Sequence, residues 1–132
     1  MKKIMISICL LAIAMLFLPP VSRANDAEIE RLVQQFFFNV SNGHGNSAAA
    51  FLTDPMLSER GKQLRNNPAY GNFLRKIHAN ATIRVTDIVA VNEGTKTVDV
   101  EILRQNETIP EKLRYVVKME QNRWKISEEV RP

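Results

Sequence analysis

Past its first two dozen residues this chain has no cysteine; the single one it carries is Cys9. A domain folded from residues 25–132 therefore has no disulfide, no thiol nucleophile and no cysteine-ligated metal. Histidine is scarce too. His44 and His78 are the only two, and no second ligand stands at metal-binding spacing from either, so no metal site is expected. His44 lies in a glycine-flanked loop, and His78 closes a helical stretch where a cation suits the dipole; both are expected to be solvated or capping. Glycine-rich phosphate loops, nucleophile elbows, repeats and low-complexity tracts are all missing. No cofactor is implied.

Long apolar runs are also lacking, with one exception. Ile4–Leu18 is an unbroken run of 15 residues, preceded by Lys2 and Lys3 and ended by Pro19 and Pro20. It is short of the roughly 20 residues that span a bilayer. Ser22-Arg23-Ala24 then places small residues where a signal peptidase reads them. Residues 1–24 read as a secretory signal peptide cleaved after Ala24. Cys9 sits inside the run, not at its end, so it is not a lipidation site. The expected location is the periplasm or the extracellular space, with the membrane touched only through the transient signal.

Removing the signal also removes most of the excess positive charge. The full chain has 18 Lys and Arg against 14 Asp and Glu, a net charge of +4. Lys2, Lys3 and Arg23 leave with the signal, so 15 cations face 14 acids and the net charge falls to +1. No basic patch interleaved with aromatics remains, which argues against a nucleic-acid partner.

The remaining residues fit one domain held by an apolar core. Ile29, Leu32, Val33, Phe36, Phe37 and Val40 fall on one helical stripe, with Asn25 or Asp26 as cap and Ser41-Asn42-Gly43 as stop. Phe38 points the opposite way and is expected to be covered by another part of the chain. A loop at His44–Ser47 should lead to a short helix at Ala48–Leu52. Met56, Leu57 and Leu64 mark a further helical stretch. Asn67 as cap and Pro68 at the first helical position open another helix, whose stripe is Tyr70, Phe73, Leu74 and Ile77.

Beyond Ala79 the period becomes two. Four strands follow, turning at Asn92–Thr95, at Gln105–Glu107 and at Gln121-Asn122. On the third, Leu113, Tyr115, Val117 and Met119 point inward. On the first, strict alternation puts Ile83, Val85, Asp87, Val89 and Val91 on one face. Asp87 would then be a desolvated carboxylate suited to general-base work. A bulge near Thr86 would instead turn Asp87 outward and bring Ile88 and Ala90 in. The predicted class is α+β: N-terminal helices packed on one face of a curved four-stranded antiparallel sheet.

This order of elements, closing on Met119-Glu120-Gln121-Asn122-Arg123-Trp124-Lys125-Ile126, resembles the nuclear-transport-factor-2-like superfamily, also called the cystatin-like roll. The resemblance implies a cone-shaped roll with a pocket at its open end. It also implies a spread of functions: ketosteroid isomerases, scytalone dehydratases, ligand binders and protein-binding modules. Pairing Tyr70 with Asp87 across the pocket would be similar to the tyrosine–aspartate chemistry of the isomerases. The isomerases' second acidic donor has no counterpart here. Tyr70, Phe73, Asp87 and Tyr115 are the candidate ligand-binding residues, and Asp87 and Tyr70 the candidate catalytic pair. The expected function is non-enzymatic binding of a small apolar ligand or an envelope protein. The alternative is a small lyase or isomerase. The sequence leaves a homodimer open.

The exported form is expected to begin at Asn25. N-terminal sequencing of the exported protein checks this, and Met1 retained in an inner-membrane fraction would overturn it.

Overall fold

The computed structural model describes residues 25–131. The expected signal peptide, residues 1–24, lies outside the described residues. The first helix, α1, covers residues 25–41. All six positions of its apolar stripe, Ile29 through Val40, are buried. Its first turn is tied down by charge: Lys96 Nζ on the second strand donates to Asp26 Oδ1 at 2.8 Å. Gly43, in the left-handed region at φ 75°, ends it. Phe38 is 64% exposed, so the expected intramolecular cover is absent among the described residues. The reason is helical geometry. With the stripe turned into the core, the far side of α1 faces out, although Gln34, one turn earlier, reaches back to bond the Ile83 carbonyl at 2.9 Å.

Helix α2 spans Gly45–Ala49. It starts three residues before the expected helix, inside the expected loop. A tertiary contact sets that start. A β-carbon on Gly45 would lie 2.0 Å from the Leu64 carbonyl oxygen, so only glycine lets the two segments approach this closely. Leu52 is not helical. It bridges Ile126 on the last strand, with Ile126 N–H donating to the Phe51 carbonyl and Thr53 N–H to the Ile126 carbonyl, each at 2.9 Å. A π-helical turn, Leu57–Gly61, runs into α3 at Lys62–Asn66. Helix α4, Pro68–His78, begins as its sequence predicts, with Asn67 Oδ1 accepting from Tyr70 N–H at 3.2 Å. No helix among the described residues is long and apolar enough to cross a membrane.

The strands β1 (Thr82–Asn92), β2 (Thr95–Leu103), β3 (Glu111–Glu120) and β4 (Arg123–Val130) form an antiparallel meander in sequence order. Gln121 and Asn122 both have positive φ, 51° and 64°, as a two-residue type I′ hairpin turn requires. The inner face buries Val98, Val100 and Ile102 from β2, Leu113, Tyr115 and Val117 from β3, and Trp124 and Ile126 from β4. Met119, expected inside, is 39% exposed at the hairpin end.

Two bulges, with a further register shift between Ala90 and Asn92 where Ala90, expected to turn inward, is exposed, break strict alternation. The first lies between Val85 and Asp87 in the β1–β2 register. Beyond it Ile88 packs against the core, while Val89 is half exposed. The second lies in β4, where Val116 pairs with Glu128 but Val117 pairs with Ile126, leaving Ser127 as the extra residue. Each bulge flips the residues beyond it to the other face.

Trp124 is buried, with Lys96 Nζ 5.7 Å from its ring centroid. Trp124→Ala should cost about 3–5 kcal/mol, as large aromatic truncations in cores do. Denaturant melts measure it, and a loss below about 1 kcal/mol would contradict this packing.

Candidate functional site

A cavity of about 300 Å³ opens where β2 and β4 end and β3 begins. Its size lies at the lower end of small-molecule pockets. Phe36, Phe37 and Val40 of α1, with Ile102 and Leu113 of the sheet, make the apolar floor. Helix α4 forms the other wall, with Tyr70 half-buried and Phe73 at the rim, 57% exposed. The stripe of α4 thus serves the cavity as much as the core. Phe37 joins the parts. Its ring meets Tyr115 edge-on at 6.1 Å and His78 at 5.5 Å.

One polar network crosses this apolar interior. The Tyr115 hydroxyl donates to Glu129 Oε1 at 3.0 Å, and the Arg60 guanidinium pairs with Glu129 Oε2. Burial, and next the Glu129 charge, raise the Tyr115 phenol well above its ordinary value. It therefore stays a hydroxyl donor and does not act as a phenolate base. The bond to Glu129 outweighs desolvation and raises the Arg60 guanidinium still higher. A second pair lies nearby, with Arg104 Nη2 2.5 Å from Glu111 Oε2. Arg131 reaches the same carboxylate only at 3.9 Å and is largely exposed.

The sequence-predicted residues divide cleanly. Tyr70, Phe73 and Tyr115 all line the cavity. Asp87 does not. It is exposed on the outer face, opposite Asp99 in register. Asp99 accepts from Arg114 Nε at 2.7 Å, which lowers the Asp99 carboxyl below its usual range. The Thr86 bulge is the physical reason, so the expected Tyr70–Asp87 pair does not form and the carboxylate in the cavity is Glu129. Sequence reasoning missed Glu129 because alternation from Trp124 and Ile126 carries on to Glu128. The Ser127 bulge substitutes its neighbour. No local signal marks that bulge.

His78 also departs from expectation. It is buried at the cavity wall, only 7% exposed, and its Nδ1 is sealed from solvent with no hydrogen-bond partner among the described residues. Desolvation, and next the Arg104 charge, lower its pKa, against smaller opposing pulls from Glu111 and Glu129. The ring is therefore neutral near pH 7. His44 is exposed.

A depressed histidine pKa has a signed consequence. The unfolded chain binds a proton at His78 near pH 6.5, and the folded chain only below that. Stability from the neutral ring is complete above about pH 6.5 and is lost as pH falls toward the folded pKa, by up to about 1.4 kcal/mol per pH unit. Urea melts at pH 7.5 and 5.5 should show a larger loss for the wild type than for His78→Phe. Equal losses would mean the ring charges freely in the fold.

No protein-family model matches the chain, and no curated protein matches it. Solved structures do. An NTF-2-like protein of unknown function from Shewanella oneidensis MR-1 aligns with TM-score 0.59 at 12% identity, over 80% of this chain and 96% of its own. A cystatin-like domain of unknown function from Nostoc punctiforme PCC 73102 aligns with TM-score 0.57 at 16% identity, over 80% and 75%. A ketosteroid isomerase-like protein from Erwinia carotovora atroseptica SCRI1043 aligns with TM-score 0.51 at 10% identity, over 78% and 91%. Helices followed by a bulged four-stranded meander, with the cavity at one end of the sheet, give this chain the nuclear-transport-factor-2-like, cystatin-like α+β fold.

Proposed function

We propose that this is an exported, non-enzymatic domain that holds a small ligand, apolar over most of its surface, in the cavity between α4 and the sheet. The observation that carries this reading is the cavity itself. It combines about 300 Å³ of space, a floor of phenylalanine, valine, isoleucine and leucine, and polar groups confined to one end. The tyrosine and carboxylate already there are engaged with each other and with Arg60. Such a network suits recognition of a polar head, because its groups are satisfied before the ligand arrives.

One observation favours the alternative, a small lyase or isomerase. Tyr115 and Glu129 form a tyrosine–carboxylate pair inside the cavity, 3.0 Å apart. The ketosteroid isomerase-like neighbour shares the fold. Against turnover stands the Arg60 pairing, which already occupies one oxygen of the Glu129 carboxylate. For an envelope-protein partner, the exposed Phe38 ring on α1 is the candidate contact.

Decanoate serves as the probe, measured by isothermal titration calorimetry. The wild type should bind it, and Leu74→Trp, which fills the cavity from α4, should weaken binding at least about tenfold (about 1.4 kcal/mol) with little change in melting temperature. Equal binding by both proteins would place the probe elsewhere and sink the cavity reading.

A further inference from the structure

We propose that α3 and α4 form a docking surface for an anionic lipid bilayer, with the mouth of the cavity turned toward the headgroups. This gives the folded domain a membrane contact of its own, besides the transient one of the signal. Charge and exposure carry the docking, whatever the cavity holds.

The near-neutral balance of residues 25–132, 15 cations against 14 acids, conceals an uneven distribution. No acid stands between Glu59 and Asp87, whereas Arg60, Lys62, Arg65, Arg75, Lys76 and Arg84 all do. Glu129 holds Arg60, and Glu101 holds Arg84. The other four are exposed and have no ion pair among the described residues. All four lie on α3 and α4, which pack against each other and line the cavity through Leu64, Phe73, Leu74 and Ile77. Each Lys or Arg near an anionic bilayer strengthens binding about fivefold.

Apolar side chains stand exposed at the same end. Phe73 is at the rim, and Lys76, three residues on, is its neighbour on the helix surface. Leu103 lies between Ile102 and Arg104, Val130 between Glu129 and Arg131, and Ile109 two residues before Glu111. Those five flanking residues all line the cavity. Leu103 and Val130 are exposed, and Ile109 is 80% exposed, the most of any large apolar side chain described. The acids of this loop, Glu107 and Glu111, both pair with Arg104. Apolar tips among unpaired cations fit a bilayer interface, where the tips reach the acyl boundary and the cations meet phosphates. Nucleic acid would leave the aliphatic tips in water. The tips flank an opening and make no continuous patch, which suits a fluid surface better than the rigid face of a protein.

Vesicle co-sedimentation tests the docking. The chain from Asn25 onward is used, because it contains the core described above and omits the apolar run Ile4–Leu18. Vesicles of phosphatidylcholine with phosphatidylglycerol should bind it at least about tenfold more tightly than phosphatidylcholine alone, and about 1 M salt should release it. Arg75→Glu combined with Lys76→Glu should weaken anionic binding at least about tenfold. Ile109→Asp should weaken it severalfold. Both variants should melt with the wild type, since all three side chains are exposed. Equal binding of the wild type to the two vesicles, or anionic binding that either variant leaves unchanged, would overturn the docking. Binding to neither vesicle would overturn it too and leave the surface to an acidic protein. Decanoate binding in solution reports on the cavity separately, so its failure would sink the cavity reading alone.

Discussion

The structure depends on the seating of α1 in the inner face of the sheet. Without a cysteine in residues 25–132, apolar burial must do what a disulfide does in many small domains. Six residues of one helical stripe enter the core together. Each fully buried side chain of that size contributes roughly 1.5–3 kcal/mol. Phe37 is the pivot, because its ring contacts both Tyr115 of β3 and His78 of α4. The helix that makes the core thereby also sets the distance between the two walls of the cavity. Space remains at that end, where Tyr70 and Leu74 of α4 are only partly buried against the core.

The bulges decide the chemistry of that space. Both are one-residue insertions in edge strands, and they act in opposite directions. The Thr86 bulge removes a carboxylate from the inner face by turning Asp87 out toward Asp99 and Arg114. The Ser127 bulge brings one in, at Glu129. A buried carboxylate is costly unless it is paired and hydrogen-bonded. Glu129 meets that condition through Arg60 on one oxygen and Tyr115 on the other. The Ser127 hydroxyl bonds the Asp54 carbonyl at 2.8 Å, which anchors the bulge to the segment before the π-helical turn that carries Arg60. The bulge and the cation that neutralises its product are thus fixed by adjacent pieces of chain.

Much of the architecture was legible in the sequence. The α1 stripe, the Asn67-Pro68 helix start, the four strands and the Gln121-Asn122 turn all follow from local periodicity and turn chemistry. Tyr70, Phe73 and Tyr115 were legible as cavity residues because the stripe of α4 and the inner face of β3 both point that way. Asp87 was legible only as two alternatives, since a bulge leaves no mark in residue types. Glu129 and the burial of His78 were not legible at all. The first needs the β3–β4 register. The second needs the placement of α4's last turn against Phe37, a contact between residues 41 positions apart in sequence.

By itself, then, the sequence determined what depends on neighbours along the chain: the apolar stripes, the caps, the turns and the switch from period 3.6 to period 2. It also determined the absence of any covalent staple in residues 25–132. Tertiary structure alone decided which side chains meet. The start of α2 depends on Gly45 lying against Leu64. The exposure of Phe38 depends on no other described element packing over α1's far side. The identity of the cavity carboxylate depends on a single extra residue in β4. The physical reason is common to all three. Helix and strand periodicity are local properties, whereas register, close approach and burial are set by the shape of the surface against which each element packs.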